Sequence, residues 1–534
     1  MSVWSFAMRN HLFLFLLLFL SVNAFSATKT WDGGGADANW TTAANWSTDV
    51  APVAGDDLVF PAAAAQQSNN NNFFLFTSFH SITVEGGTYT FGGNLIRLTN
   101  GLTVSSGTQT FNLAITLSGA QTFFADTGAT ATIVILSVGS SALTIDGAGI
   151  VGIGLISGSG SIIKDGTGAG GIVTATGYSG GITLHDGVFI VDANIPNSPV
   201  DIQGPIPTGT PGLSGFGGTG TVGATTVASG VISAGTLNSP TGVLSIAGGL
   251  GFTTNGVYAC KIGGTTPGAN GHDQLNVTGS VNLNNAALAP IPWNGFQAAA
   301  GDTFVIIKND ASDPVNGTFL NLPEGSTFAD QLGIPFQITY LGGDGNDVSI
   351  TRIQPTISGT VSYGNAIGNP SQRFVSGVFL NAVGSINVST TSDFPGGNYS
   401  LTGFGIGSYT VTPSKTLGVN GAITSFDAAK IALHVAGTTT LTGNQLIVAD
   451  VSGNGTISSF DAGQIARYAA GVPGSGSTGN WIFAPANRNY ASVTSNVKGE
   501  DFVALLMGEI SGNWANTAAP TPTPTNTPTN TPTP

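Results

Sequence analysis

SITVEGGTYTFGGNLIRLTNGLTVSSGTQTFNLAITL, residues 81–117, holds three short runs in which an apolar residue alternates with Ser or Thr. They are Ser81-Ile82-Thr83-Val84, Leu102-Thr103-Val104 and Ile115-Thr116-Leu117, parted by glycines and polar turns. Alternation at period two marks a strand with one buried face. The pattern returns at Ala142-Leu143-Thr144-Ile145, Gly181-Ile182-Thr183-Leu184 and Val243-Leu244-Ser245-Ile246, with no helical stretch between. Parallel strands ordinarily need helical crossovers, but a coiling chain pairs each turn with the next and needs none. One coil cannot bury its apolar face alone, so stacking must supply the core. A mainly β chain is expected, with a right-handed parallel β-helix over 76–352.

Outward from that stretch, residues 28–75 carry Trp31, Trp40 and Trp46 in a polar setting. Large aromatics suit a cap over the open edge of a first coil; the same residues would also suit a sugar platform. Composition agrees with a β-array. Charged residues are 7% of the 534, against roughly 25% in an ordinary domain. Gly, at 79 residues, supplies the turns. The 13 Lys+Arg and 27 Asp+Glu give a net charge of −14 and no basic stripe, which excludes a nucleic-acid partner and leaves room for divalent cations. The single cysteine, Cys260, can form no internal disulfide and reads as a small packed residue.

Residues 1–26 have the plan of a secretory signal peptide: Arg9, then a Leu/Phe-rich run from His11 to Leu20, then small residues that allow cleavage after Ala24 or Ser26. The apolar run is short for a bilayer span, and no second one follows. A secreted or cell-surface protein with no membrane span after cleavage is expected. From 517 to 534 the chain is a Thr/Pro-rich linker or tail of extended, polyproline type.

Three family resemblances rest on particular residues. His272-Asp273-Gln274-Leu275-Asn276-Val277, Gly301-Asp302-Thr303-Phe304-Val305-Ile306 and Gly343-Asp344-Gly345-Asn346-Asp347-Val348 resemble the last coils of autotransporter-associated β-strand repeats. No outer-membrane barrel is expected after them, which argues against export through an attached pore. Ile357-Ser358-Gly359-Thr360-Val361, Gly377-Val378-Phe379-Leu380 and Gly407-Ser408-Tyr409-Thr410-Val411 resemble the carboxypeptidase regulatory-like domain, which implies a small β-sandwich over 355–413.

Residues 414–516 contain a repeat at a spacing of 34 residues: Val419-Asn420-Gly421-Ala422-Ile423-Thr424-Ser425-Phe426-Asp427 and Gly453-Asn454-Gly455-Thr456-Ile457-Ser458-Ser459-Phe460-Asp461. Calcium takes six to eight oxygens, which a twelve-residue loop supplies at alternate positions around a glycine turn. In the second copy Asp450, Ser452, Asn454, the Thr456 carbonyl and Asp461 fall at positions 1, 3, 5, 7 and 12, with Ser458 at position 9. In the weaker first copy the same positions give Thr416, Gly418, Asn420, the Ala422 carbonyl and Asp427; Thr416 is neutral and Gly418 has no side-chain oxygen. A helix is expected after Asp461, ending at Gly471.

The repeat resembles a type I dockerin, a paired loop-helix module. The resemblance implies a small helical calcium module and a cohesin-like protein or cell-surface scaffold as partner. It places recognition at Ser425, Phe426, Ser459, Phe460 and Arg467. Phe at that loop position departs from the usual small polar residue, and Leu433 stands where the first copy would match Arg467. The two phenylalanines could equally be core residues closing the copies together.

The five histidines, His11, His80, His185, His272 and His434, lack zinc spacing, and no nucleophile motif accompanies them. The expectation is a non-catalytic secreted scaffold or adhesin-like protein that docks through a calcium module. The alternative is a polysaccharide-binding or polysaccharide-degrading component of a cellulosome-like complex.

Overall fold

The computed structural model describes residues 26–205, 215–235, 240–310, 313–368, 373–405 and 407–517. Apart from Ser26 and Thr517, the expected signal peptide and the Thr/Pro tail lie outside the described residues. The fold is mainly β, with a parallel β-solenoid of about nine turns and three α-helices among the described residues. None of these helices is long and apolar enough to cross a membrane. The chain divides into two compact units, 1–187 and 188–534.

In the first unit the alternating runs stack in register. Leu58, Ile82, Leu102, Phe123, Ile145, Lys164 and Leu184 form one column, with successive members about twenty residues apart. Phe91, Phe111, Ile133, Ile153 and Ile172 form another, in which the Phe91 and Phe111 rings stack at 4.4 Å. Thr83, Thr103 and Thr144 alternate with the first column and stay half-exposed, as period two requires. The coils lie too close for a side chain at some turns. A Cβ on Gly147, at φ +94°, would meet the Ala125 carbonyl oxygen at 2.0 Å. Lys164 enters the apolar column, yet its ammonium reaches the turn and donates to the carbonyls of Asp165 and Gly166 at 2.5 and 2.6 Å.

Trp31, Trp40 and Trp46 are fully buried and pack on Phe60 with ring centroids 5.8–6.1 Å away. Each indole N–H has an acceptor: the Gln66 carbonyl, Asn69 Oδ1 and the Trp40 carbonyl. They are packed inside, and none offers an open face to a sugar.

The second unit carries further parallel pairings, from Val200–Gln203 to Thr225–Ile232, Leu250–Ile262 and Ala287–Pro292. Coils do not persist to residue 352. Thr303–Lys308 pairs parallel with Gln274–Val277 on one side, but antiparallel with Asp347–Arg352 on the other. Pro335–Gly342 and Thr327–Ala329 continue antiparallel. A reversing meander hydrogen-bonds the strand that would otherwise present an open edge. Inside this region Lys261 Nζ lies 2.8 Å from Asp273 Oδ2, both essentially buried. The pair is saturated by the Ser233 hydroxyl, the Gly242 N–H and the Ala234 carbonyl. Cys260 is buried beside it, and burial pushes its thiol well above the ordinary value, which suits packing rather than reactivity.

Residues 356–517 form two four-stranded sheets and the three helices, α1 (Ser425–Val435), α2 (Asn444–Ala449) and α3 (Ser459–Ala469). Thr356–Tyr363 pairs with Asn398–Thr402 and also, across some 140 residues, with Phe502–Leu506. Trp481–Ala484 and Arg488–Tyr490 complete the two sheets. The expected border at 413/414 is therefore crossed by the hydrogen-bond ladders: the helices are an insertion between strands. One core unites them, with Val361, Leu380, Val411 and Phe502 from the sheets and Ile431, Val448 and Ile465 from the helices.

Removing one partner of a buried ion pair leaves an uncompensated charge. Lys261→Met is expected to cost about 3–5 kcal/mol, with much of the loss recovered in Lys261→Met/Asp273→Leu. Urea unfolding midpoints of the two variants test this; equal midpoints would refute it.

Candidate metal and docking site

Helices α1 and α3 begin alike because their sequences do. Thr424 and Ser458 are N-caps in extended conformation, each accepting from the backbone N–H two residues on. Asp427 and Asp461 return the bond to the cap N–H at 2.8 and 2.9 Å, completing a capping box. Both aspartates are fully buried, as are Ile431 and Ile465 one turn further, where the helices pack together. Gly437 and Gly471 follow the helix ends at φ +72° and +69°; Gly471 is the terminator expected from the sequence.

In the second loop hydrogen bonds link several of the expected donors to one another. Asp450 Oδ1 accepts from the Ser452 hydroxyl and the N–H groups of Gly453 and Asn454, and Oδ2 from the Gly455 N–H, at 2.8–3.1 Å. This folds the loop around the carboxylate. Asp461 reaches back into it, Oδ1 accepting from the Ser452 N–H at 3.0 Å and Oδ2 from the Ser458 N–H and hydroxyl. Asn454 Oδ1 accepts from the N–H and hydroxyl of Thr456. Burial pushes the Asp461 carboxyl up, but the bonds from Ser452 and Ser458 outweigh it and hold it below the ordinary value. A carboxylate offers about four lone-pair sites, so Asp450 Oδ2 and Asp461 Oδ1, each with a single donor, keep capacity for a cation. Hydroxyls and carbonyls of an exposed loop complete a hard-oxygen set that fits calcium.

The first loop is built differently. Asp427 accepts four hydrogen bonds: two from Thr424 and two on Oδ1, from the N–H groups of Ile510 and Ser511 at 2.9 and 2.8 Å. The Leu417 and Gly418 carbonyls accept from the indoles of Trp481 and Trp514, and Asn420 Nδ2 donates to the Ala515 carbonyl. Thr416 lies exposed, and Ala422 is packed inside. Chain from 510 to 515 thus lies where a cation would have to sit, and the Asp427 acceptors are saturated. The first loop does not fit a metal ion.

Glu509 anchors that segment. It is fully buried and accepts from the Tyr363 hydroxyl, Asn365 Nδ2, the Ser511 hydroxyl and the Asn513 N–H. Sequence reasoning did not find this latch; its one signal, a buried-type acid between Met507-Gly508 and Ile510, looks like a degraded third loop.

Ser425, Phe426, Ser459, Phe460 and Arg467 all lie on the surface. Phe426 is 60% exposed and Phe460 62%, so neither closes the core. Lys430 Nζ sits 5.3 Å from the Phe426 ring, and Leu433, in the place of Arg467, is also exposed. Among the described residues no three of His, Cys, Asp and Glu gather as a metal cluster. No family model matches the chain, and comparison with curated proteins finds no match either.

With its folded value depressed below 3.8, Asp461 contributes stability that is present above that pH and lost as pH falls through the folded value. Melting temperature in calcium-free buffer is expected to drop on acidification below about pH 4, and Asp461→Asn should show a smaller drop over that window. Asp427→Ala, which also unlatches 510–511, is expected to lower stability by about 2–4 kcal/mol in urea titrations.

Proposed function

We propose that this chain is a non-catalytic extracellular scaffold that binds calcium through the second loop and docks a protein partner through the exposed faces of α1 and α3. The single observation that carries the reading is the matched exposure of Phe426 and Phe460. They are equivalent residues at the starts of two equivalent helices, held out in water although the core below them is well packed. Exposed aromatics paired in this way serve recognition, since burying them on a partner gains apolar area that folding leaves unused. Ser425, Ser459 and Arg467 would add polar contacts around them.

Asp450, Ser452, Asn454, the Thr456 carbonyl, Ser458 and Asp461 would hold the ion. Calcium there neutralises two carboxylates and stiffens the loop that positions Phe460. The module is read as dockerin-like, with a cohesin-like partner, and the two sheets as the β-sandwich of a carboxypeptidase regulatory-like domain into which it is inserted. The solenoid is read as right-handed and of the autotransporter-associated type. The low share of charged side chains supports a scaffold rather than an enzyme.

The test uses the full chain, because strands 481–506 need their partners in 356–414. In calcium calorimetry, Asp450→Ala is expected to remove one equivalent of bound calcium and Asn420→Ala none. Phe426→Ala/Phe460→Ala should leave calcium uptake unchanged and stability within about 0.5 kcal/mol, while abolishing binding to immobilised cohesin modules. Calcium uptake unaffected by Asp450→Ala would end the proposal.

A further inference from the structure

Three neighbouring strands, Phe379–Val383, Val388–Thr391 and Tyr409–Ser414, meet at one end of their sheet, where Phe379 pairs with Thr391 on one side and Ser414 on the other. A cleft of about 500 Å³ opens there, lined by chain next to those strand ends and by the segment around Trp514. That is the size of a small-molecule site rather than of a groove for a long chain.

Lys415, the first residue after the third strand, lies in the wall of this cleft. Its Nζ donates to the Ser376 carbonyl at 2.7 Å and to the Gly377 carbonyl at 3.4 Å, and stands 5.9 Å from the centre of the Trp481 ring. Glycines keep the ammonium uncovered. A Cβ on Gly377 or on Gly418, both lining residues with left-handed backbone (φ +66° and +88°), would lie 3.2 Å from Nζ.

No carboxylate answers this charge. The cleft has no Asp or Glu among its lining residues, and among the described residues Lys415 belongs to no ion pair. Burial pushes its ammonium below the ordinary lysine value, with no acid to offset the effect. Two other lysines withdrawn from water are compensated: Lys261 by Asp273, and Lys164 by the charges of Asp186, Asp146 and Asp165. The chain holds 27 acids against 13 bases, yet this half-buried cation has none beside it. An anion from outside would recover the free energy that its desolvation costs.

An ammonium has three donors, and two are directed at carbonyls, which leaves one for a ligand. One free donor, with no arginine and no helix N-terminus in the lining, suits a single negative charge better than a phosphate. The rim is apolar: Phe394 is 52% exposed and Leu417 78%. Covering these side chains gains apolar burial that folding leaves unused.

We propose that this cleft binds a small organic monocarboxylate, with its carboxylate on Lys415 Nζ and its hydrocarbon body against Phe394 and Leu417. The charged group orients the ligand, and the apolar rim selects acids with a hydrocarbon body over acetate or formate. The site shares no residue with the 450–461 loop, and neither reading depends on the other.

The experiment titrates the full-length chain with hexanoate, followed by ligand-observed NMR, beside hexanol as the uncharged match of equal length. Hexanoate is expected to saturate and to bind at least ~10-fold tighter than hexanol, the difference one charge-assisted hydrogen bond supplies. Lys415→Met should bring hexanoate down to the level of hexanol while leaving hexanol itself unchanged. Leu417→Glu, at a position too exposed to matter for folding, should cut hexanoate binding by repulsion, so the proposal stays testable if Lys415→Met misfolds. Hexanoate that does not saturate, or that binds no better than hexanol, overturns the proposal. A preference for hexanoate that survives both substitutions overturns it as well.

Discussion

Every coil of the solenoid carries an apolar stripe that it cannot cover by itself, and the in-register stacking of Leu58, Ile82, Leu102, Phe123 and Ile145 is what covers it. The other features of the array answer to that constraint. At the first described coil Trp31, Trp40 and Trp46 close over Phe60. The strand Thr303–Lys308, parallel to its neighbour on one side, would have an open edge on the other, so the chain from 327 to 352 turns back antiparallel upon it. Even a charged residue can join the stack if its charge escapes at a turn, as Lys164 does.

The two loops of the C-terminal repeat show how one local sequence can take two chemical roles. Asp427 and Asp461 hold the same place in the same capping box, equally buried. Asp427 meets the N–H groups of Ile510 and Ser511, and the protein itself neutralises its acceptors. Asp461 meets an Asp450-centred loop open to water and keeps room for an ion. The difference comes from a chain segment some 84 residues away, held by Glu509.

Much of this was legible beforehand. The strand pattern, the helix after Asp461 and its Gly471 stop follow from spacing and side-chain chemistry within a few residues. The weakness of the first loop was also visible, in Thr416 and Gly418. Three things were not. The meander direction after 308, the completion of two sheets by strands 481–506 and the latch at 509–515 all depend on pairings over long separations. Short strands such as Trp481–Ala484 carry no mark of which distant edge they will join.

By itself, then, the sequence determined which residues could be strands, which would start and stop helices, and which oxygens stood at calcium-loop spacing, because these are matters of local period and capping. Only the tertiary structure decided that Phe426 and Phe460 face water and that Asp427 is already satisfied. It also decided that Lys415 lies in a cleft without acids. Exposure and hydrogen-bond saturation depend on what packs from elsewhere in the chain, and no window of sequence contains both partners.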